Sequence, residues 1–500
     1  MKKQTLLLLL CLLFGANVFA QQLQLRAPLR ESAHALHDRL AQKTPTGKSP
    51  SALLSLEDAL NQAFDDVCAP TPIKGINAAV LLPDGSAWKR AHGVAAELPL
   101  PIPLTTNHLM GMGSITKTFV SATLLTLVDE GLLTLNDSIG KFLAPYPNVN
   151  GKATIRQILS HRSGFSDYLN ENPAMTTAWV ANLDSIWDTD TILKYYVLAP
   201  NFPTGLAWSY SNTNYLLAAR IIENITGKTW YEAVRERILT PMNLTRTFAY
   251  PWESAGNQPF SHAFADADNN GTVEGLQGIG ISMDGLFSIA AGAGCLISTP
   301  EDIARFCERL FGGHLLQPAT LAAMQTDYLQ NASTGIRYGL GAYSLIGLQP
   351  LKNWGHDGSL IYQSFGFYFP DLNIAIAVQQ NDDRNGTPQM PMNDLVDVFL
   401  ALLDAYLEYD PNTSTHDVAL NEQVRVFPNP TAGALTVQWN EWPSEATHLT
   451  LLNAFGQTVR SQQQVRDLQT SLDLSDLPKG LYFLRLQSGA SVGAVRVVVE

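Results

Sequence analysis

The chain has 500 residues, 46% hydrophobic and 15% charged, with a formal net charge of −13. That balance is globular rather than disordered. Acids and bases are interspersed with no Lys/Arg-rich block, so the clustered cations that neutralise phosphate are missing and nucleic acid is excluded as a partner. The length exceeds one comfortable core, so at least two domains are expected.

Met1–Ala20 reads MKKQTLLLLLCLLFGANVFA: two lysines, an apolar run short for a bilayer, then Val18-Phe19-Ala20. This is the pattern of a cleaved signal peptide with Gln21 as the mature start. No later stretch is long and apolar enough for a stable membrane span, so export is expected. Residues 21–54 form a polar N-terminal extension with one helical patch, Glu31–Gln42. Cys11 leaves with the signal. Cys68, Cys295 and Cys307 cannot make a disulfide framework and match no metal spacing, which leaves one bridge or three buried thiols.

Ser55-Leu56-Glu57-Asp58 caps an amphipathic helix reaching Cys68. Ile76–Leu82 and Ala87–Val94 read as strands joined at Pro83-Asp84-Gly85. GMGSITKTFV (111–120) then starts a helix apolar on nearly every face to Val128 and stopped by Gly131, the pattern of a buried helix. A mostly helical middle follows. Within FSHAFADADNNGTVEG, Asp266, Asp268, Asn270 and Gly271 have calcium-loop spacing. The twelfth position is Gln277 rather than a bidentate Glu, however, so Asn270-Gly271 reads as a hairpin turn. Phe365–Phe369 and Ile374–Gln379 flank Pro370-Asp371-Leu372-Asn373 as an antiparallel hairpin, and Asn393–Tyr406 closes the region as a long helix.

Helices at both ends of antiparallel strands, with a helical insert between, predict an α+β domain over residues 55–407. Residues 408–423 are a polar linker. From Val424 the pattern is all-β to residue 500, a small sandwich without a catalytic constellation.

Three stretches carry chemistry. Ser114 and Lys117 are three apart on one helix face, where unpaired N–H groups suit a developing anion. A lysine among apolar neighbours gives up its charge more readily, so the pair can supply nucleophile and base. The alternative is a serine cap beside an ordinary lysine. Tyr210-Ser211-Asn212 precedes another apolar helix: the tyrosine can relay protons and the asparagine can hydrogen-bond a substrate amide, or the pair is a cap beside a buried aromatic. His356-Asp357-Gly358 leads into the last strands, where glycine lets a substrate lie close to the backbone.

S-x-x-K, Y-S-N and H-x-G in this order resemble the penicillin-interacting serine hydrolases: class C β-lactamases, D-alanyl-D-alanine carboxypeptidases, D-amino-acid peptidases and related esterases. LVDEGLLTLNDSIGKFL, LSHRSGFSDY and GAGCLISTPEDIARF resemble the family's connecting segments, and the likeness spans about residues 55–407. The resemblance implies a β-lactamase/transpeptidase-like fold, an antiparallel sheet flanked by N- and C-terminal helices plus a helical subdomain, and no cofactor or metal. It implies that Ser114 is acylated, Lys117 activates it, Tyr210 shuttles protons and Asn212 holds the substrate. The N–H groups of Ser114 and Ser359 would form the oxyanion hole. His356, Asp357 and Gly358 would line the substrate, with His356 where many members carry lysine; His161 would be structural.

Asp357 departs from the pattern. Penicillin-binding members usually carry a hydroxyl residue there to meet a substrate carboxylate, and an aspartate would repel it. Alternatively Asp357 turns away and caps a backbone N–H. The reading is thus a secreted serine hydrolase acting through an acyl-enzyme on amides or esters, D-amino-acid peptides or small esters among them. The alternatives are a true β-lactamase or D-Ala-D-Ala carboxypeptidase, or a non-catalytic binding protein. FPNPTAG, LLNAFGQTV and LPKGLYFLRLQSG resemble the type IX secretion sorting domain of Bacteroidetes. That resemblance implies a secretion-machinery partner for residues 424–500 and an extracellular or cell-surface destination.

Overall fold

The computed structural model describes residues 55–71, 73–265, 273–329, 335–348, 351–383, 393–409, 424–439, 447–453, 458–465, 468–488 and 491–499. Residues 1–20, read as a signal peptide, residues 21–54, where a helical patch was expected, Asn270-Gly271, expected as a hairpin turn, and residues 410–423, expected as linker, lie outside the described residues. The chain divides into two compact units, one built on Asn61–Asp404 and the other on Ala405–Glu500.

The first unit carries an eight-stranded antiparallel sheet. Its strands are β1 (Gly75–Leu81), β2 (Ala87–Ala96), β3 (Ile102–Pro103), β4 (Ile336–Tyr338), β5 (Tyr343–Leu345), β6 (Trp354–Leu360), β7 (Tyr362–Phe369) and β8 (Ile374–Gln380). Their spatial order is β3-β2-β1-β8-β7-β6-β5-β4. Two of the three hairpins expected from turn chemistry fall within the described residues, and both are present. Leu82 N–H donates to Ser86 O at 2.9 Å with Gly85 at φ 84°, and Phe369 pairs with Ile374 across a turn that holds Asn373 at φ 53°.

Five longer helices frame the sheet and the site: α1 (Leu56–Cys68), α2 (Ile115–Asp129), α3 (Thr213–Thr226), α4 (Pro300–Phe311) and α5 (Asn393–Glu408). The cap read at Ser55 is reciprocal: Asp58 N–H donates to Ser55 Oγ at 3.1 Å and Ser55 N–H to Asp58 Oδ2 at 3.3 Å. Strand β7 shows how two helix layers share one sheet. Phe365 and Phe367 pack on Phe399 of α5 with ring centroids 4.7 and 5.9 Å apart. The intervening Gly366 faces α4 so closely that a Cβ would stand 2.5 Å from Ile303 Cγ2. Alternate residues thus meet opposite layers, and β7 and β8 are buried along their whole length.

A helical subdomain runs through residues 155–239, with α3 as its longest element. Helix α2 lies between α3 and β6, buried from Ile115 to Leu125 and stopped by Gly131 at φ 73°. Its uniform apolarity reflects contact on every side. Phe264–Ala265 and Glu274–Gly275 pair antiparallel. Gln277 serves this packing: its Nε2 donates to Tyr362 Oη at 3.2 Å and its Oε1 accepts the Ala263 N–H at 2.8 Å. Cys68, Cys295 and Cys307 are free, buried thiols.

The second unit holds two antiparallel sheets. One has β9 (Val424–Phe427), β10 (Ala434–Trp439) and β13 (Gln469–Asp473); the other has β11 (Thr447–Asn453), β12 (Thr458–Val465), β14 (Gly480–Ser488) and β15 (Ser491–Val499). Leu435, Val437, Leu449, Leu451, Leu484 and Val497 are buried together in one core. An α+β domain followed by an all-β one matches the fold class expected from the sequence.

Candidate active site

The site forms where the start of α2 meets β6. Gly113 adopts φ 48°, and a Cβ there would lie 2.7 Å from Ser359 N; a Cβ on Gly358 would lie 2.0 Å from Met112 O. Glycine at both positions lets the strand backbone lie directly against the turn that leads into the helix. The Ser359 N–H is thereby brought beside Ser114.

Ser114 has helical dihedrals, φ −65° and ψ −11°, and its hydroxyl does not cap the helix. Lys117 Nζ donates to Ser114 Oγ at 2.9 Å and to Ala293 O at 2.7 Å. The ammonium lies over the Tyr210 and Tyr215 rings, 4.9 and 5.8 Å from their centroids. Lys117 is completely buried. Desolvation pulls its amine down to about 7, against the opposing pull of Asp167 and Asp357.

Two histidines flank this pair in one directional chain. His161 Nδ1 accepts from Ser211 N–H and from Asn214 Nδ2, both at 3.1 Å, so the ring proton resides on Nε2. That Nε2 donates to Tyr338 Oη at 3.1 Å, and Tyr338 in turn donates to His356 Nε2 at 3.1 Å. His356 Nδ1 donates to Asp357 O at 2.5 Å. The two rings and the Tyr338 hydroxyl thus form one continuous hydrogen-bonded chain. Burial first, then the Lys117 charge, holds His161 well below the usual histidine range. The His161 ring stacks on Tyr210 with centroids 4.2 Å apart and so fixes the tyrosine beside Lys117.

A pocket opens to solvent at Ser114. Asn170, Asn212 and Ser359 contribute polar groups, and Leu169, Met175, Trp179 and Leu286 are among the apolar residues that line the rest. Among the described residues, no charged side chain lines it. Asn212 Nδ2 donates to Oδ2 of the buried Asp167 at 2.9 Å. Burial raises the Asp167 carboxyl above the ordinary aspartate value, while its N–H donors oppose the rise.

Of the residues singled out from sequence, Ser114, Asn212 and Ser359 line the cavity, with Lys117 beneath Ser114 and Tyr210 over Lys117. His356 connects through Tyr338, and Gly358 backs onto Met112. Asp357 stands outside the cavity lining: its Oδ1 accepts from Tyr343 Oη at 3.0 Å and lies 3.5 Å from His356 Nδ1. Asp167, Tyr338 and Tyr343 were not recognised in the sequence. Asp167 stands in LSHRSGFSDY, a stretch noted only as a connecting segment. Chemically, a hydroxyl touching a buried amine whose pKa is drawn down toward neutrality can serve as a nucleophile with a base beside it.

The family model described as beta-lactamase matches residues 60–400, and the one described as secretion system C-terminal sorting domain matches residues 425–500. The chain is 26% identical over 279 residues to penicillin-binding protein 4* of Bacillus subtilis, covering 53% of this chain and 59% of that protein. It is 25% identical over 316 residues to penicillin-binding protein 4 of Amycolatopsis lactamdurans, covering 60% of this chain and 78% of that protein. A solved D-stereospecific amidohydrolase from Streptomyces sp. aligns at TM-score 0.58 and 27% identity over 68% of this chain and 97% of that one.

Proposed function

This chain belongs to the beta-lactamase family of serine hydrolases, and on that premise we propose that it cleaves amide or ester bonds through an acyl-enzyme at Ser114. The observation that carries this reading is the 2.9 Å contact between Ser114 Oγ and the fully buried Lys117 Nζ. As a free base, Lys117 takes the Ser114 proton while Oγ bonds to the substrate carbonyl carbon. The oxyanion settles on the N–H groups of Ser114 and Ser359. Tyr210 passes a proton to the leaving nitrogen or oxygen, the scissile bond breaks, and the acyl group stays on Ser114. Water then attacks the ester, its proton returns through Tyr210 and Lys117, and the acid departs. Asn212, with the β6 stretch His356, Asp357 and Gly358, holds the substrate.

The substrates proposed are D-amino-acid peptides, amides or small esters. The named activity of the Streptomyces relative and a cavity free of lining charge support neutral groups around the scissile bond. Asp357 lies beyond that lining, so it disfavours a β-lactam or D-Ala-D-Ala acid only where the substrate carboxylate extends past the cavity toward β6, the place where other members carry a hydroxyl. Residues 425–500 match a sorting domain that indicates export, so the secretion machinery is a partner and the substrates lie outside the cell. Among the described residues, no helix is long and apolar enough to cross a membrane.

The test is Ser114→Ala assayed with a D-aminoacyl amide, a p-nitrophenyl ester and a chromogenic cephalosporin. Loss of turnover with an unchanged circular dichroism spectrum is expected; undiminished turnover would overturn the assignment.

A further inference from the structure

Strands β6 and β7 are joined by a single residue, Ile361, which sits between the paired Leu360 and Tyr362. Its φ is 64°, in the left-handed region. There the Cβ of an L residue crowds the following carbonyl oxygen, and a β-branched side chain is the worst placed of all. Among the described residues, the other non-glycine positions of positive φ carry asparagine, histidine or alanine, and Ile361 is the one β-branched residue. Glycine would make this turn without strain. Such strain persists where the surroundings hold it, and it gathers at functional sites. Ile361 is 4% exposed and, with Leu360, lines the pocket two residues beyond the Ser359 N–H.

We propose that Ile361 limits the size of the acyl group: its side chain closes one wall of the pocket at Ser114, and an acyl group is admitted only up to the width it leaves. The inference rests on the acyl-enzyme reading and adds to it a residue that selects among substrates. In that reading Tyr210 gives its proton to the leaving group. Tyr210 is not part of the pocket lining, so the leaving group departs on another side of Ser114 and the pocket receives the part that stays. With the acyl oxygen on the Ser114 and Ser359 N–H groups, the chain beyond it passes the edge formed by Leu360 and Ile361. That edge is braced. Leu360 Cδ2 lies 3.8 Å from where a Cβ on Gly294 would stand, and Gln363 Nε2 donates to Ser359 Oγ at 3.1 Å. Isoleucine also has little rotamer freedom at χ1, which makes it a firmer stop than an unbranched side chain.

The experiment measures kcat/KM for p-nitrophenyl acetate and p-nitrophenyl phenylacetate in the wild-type enzyme, Ile361→Gly and Ile361→Ala. The phenylacetate-to-acetate ratio is expected to rise at least fivefold over wild type in both variants, because each removes the wall beyond Cβ. Ile361→Ala keeps a Cβ in the left-handed turn, so a rise confined to Ile361→Gly would trace the change to backbone freedom and overturn the proposal. A rise of less than fivefold in either folded variant overturns it too. Should Ile361→Gly not fold, Ile361→Ala decides alone. Turnover of both esters with an unchanged ratio removes Ile361 and leaves the acyl-enzyme standing. If the wild-type enzyme turns over neither ester, the acyl-enzyme reading fails and this inference fails with it.

Discussion

If Lys117 is the base, activity should follow its deprotonation. A lysine amine ordinarily titrates at 10.5, and burial moves this one to about 7. At neutral pH an unperturbed lysine would be free base in about one molecule in 3,000, whereas this one is about half deprotonated. The sign is fixed by which form acts: the neutral amine accepts the proton, so kcat/KM should rise with pH through about 7 and level off above it. The assay is a pH profile of kcat/KM for p-nitrophenyl acetate, with spontaneous hydrolysis subtracted. Lys117→Arg keeps a positive charge but cannot lose it. It should lose as much activity as Ser114→Ala, because nucleophile and base act as a unit. A rising limb near 10, or a Lys117→Arg enzyme within a few-fold of wild type, would refute the reasoning.

Other substitutions probe the parts around that pair. Gly113→Ala places a Cβ 2.7 Å from Ser359 N at a φ that side chains avoid, so it should displace one oxyanion donor and lower kcat by about 100-fold or more; normal kcat would contradict that geometry. Tyr338→Phe removes the hydroxyl that joins His161 Nε2 and His356 Nε2 in the buried cluster. Urea unfolding should show a loss of about 1–3 kcal/mol. Wild type should turn over a D-peptide amide faster than its free acid, and Asp357→Thr should narrow that gap by up to about tenfold. A wild-type preference for the acid ends the charge argument.

What could be read from sequence was local. The turn Pro83-Asp84-Gly85, the hairpin over Pro370–Asn373 and the buried helix from Ile115 each follow from neighbours a few residues apart, and each stands where expected. Ser114 and Lys117 were visible for the same reason, since three residues on a helix fix their approach. Asp167 was not, because its partner Asn212 is 45 positions away and only the packed helical subdomain joins them. Tyr338 was still further from view: its bond to His161 spans 177 positions and needs β4 at the edge of the eight-stranded sheet. Asp357 shows the division within one residue. Its position in the H-x-G stretch was legible, but the Tyr343 hydroxyl that engages its carboxylate comes from a neighbouring strand.

The claim that Ser114 carries the acyl group is tested most directly by trapping the intermediate. The enzyme is quenched in acid during turnover of p-nitrophenyl acetate, weighed intact and mapped by peptide mass spectrometry. Expected is one acetyl group per chain on the peptide containing Ser114, absent from Ser114→Ala. Turnover with no adduct on that peptide, or with the acetyl group on another residue, would contradict it.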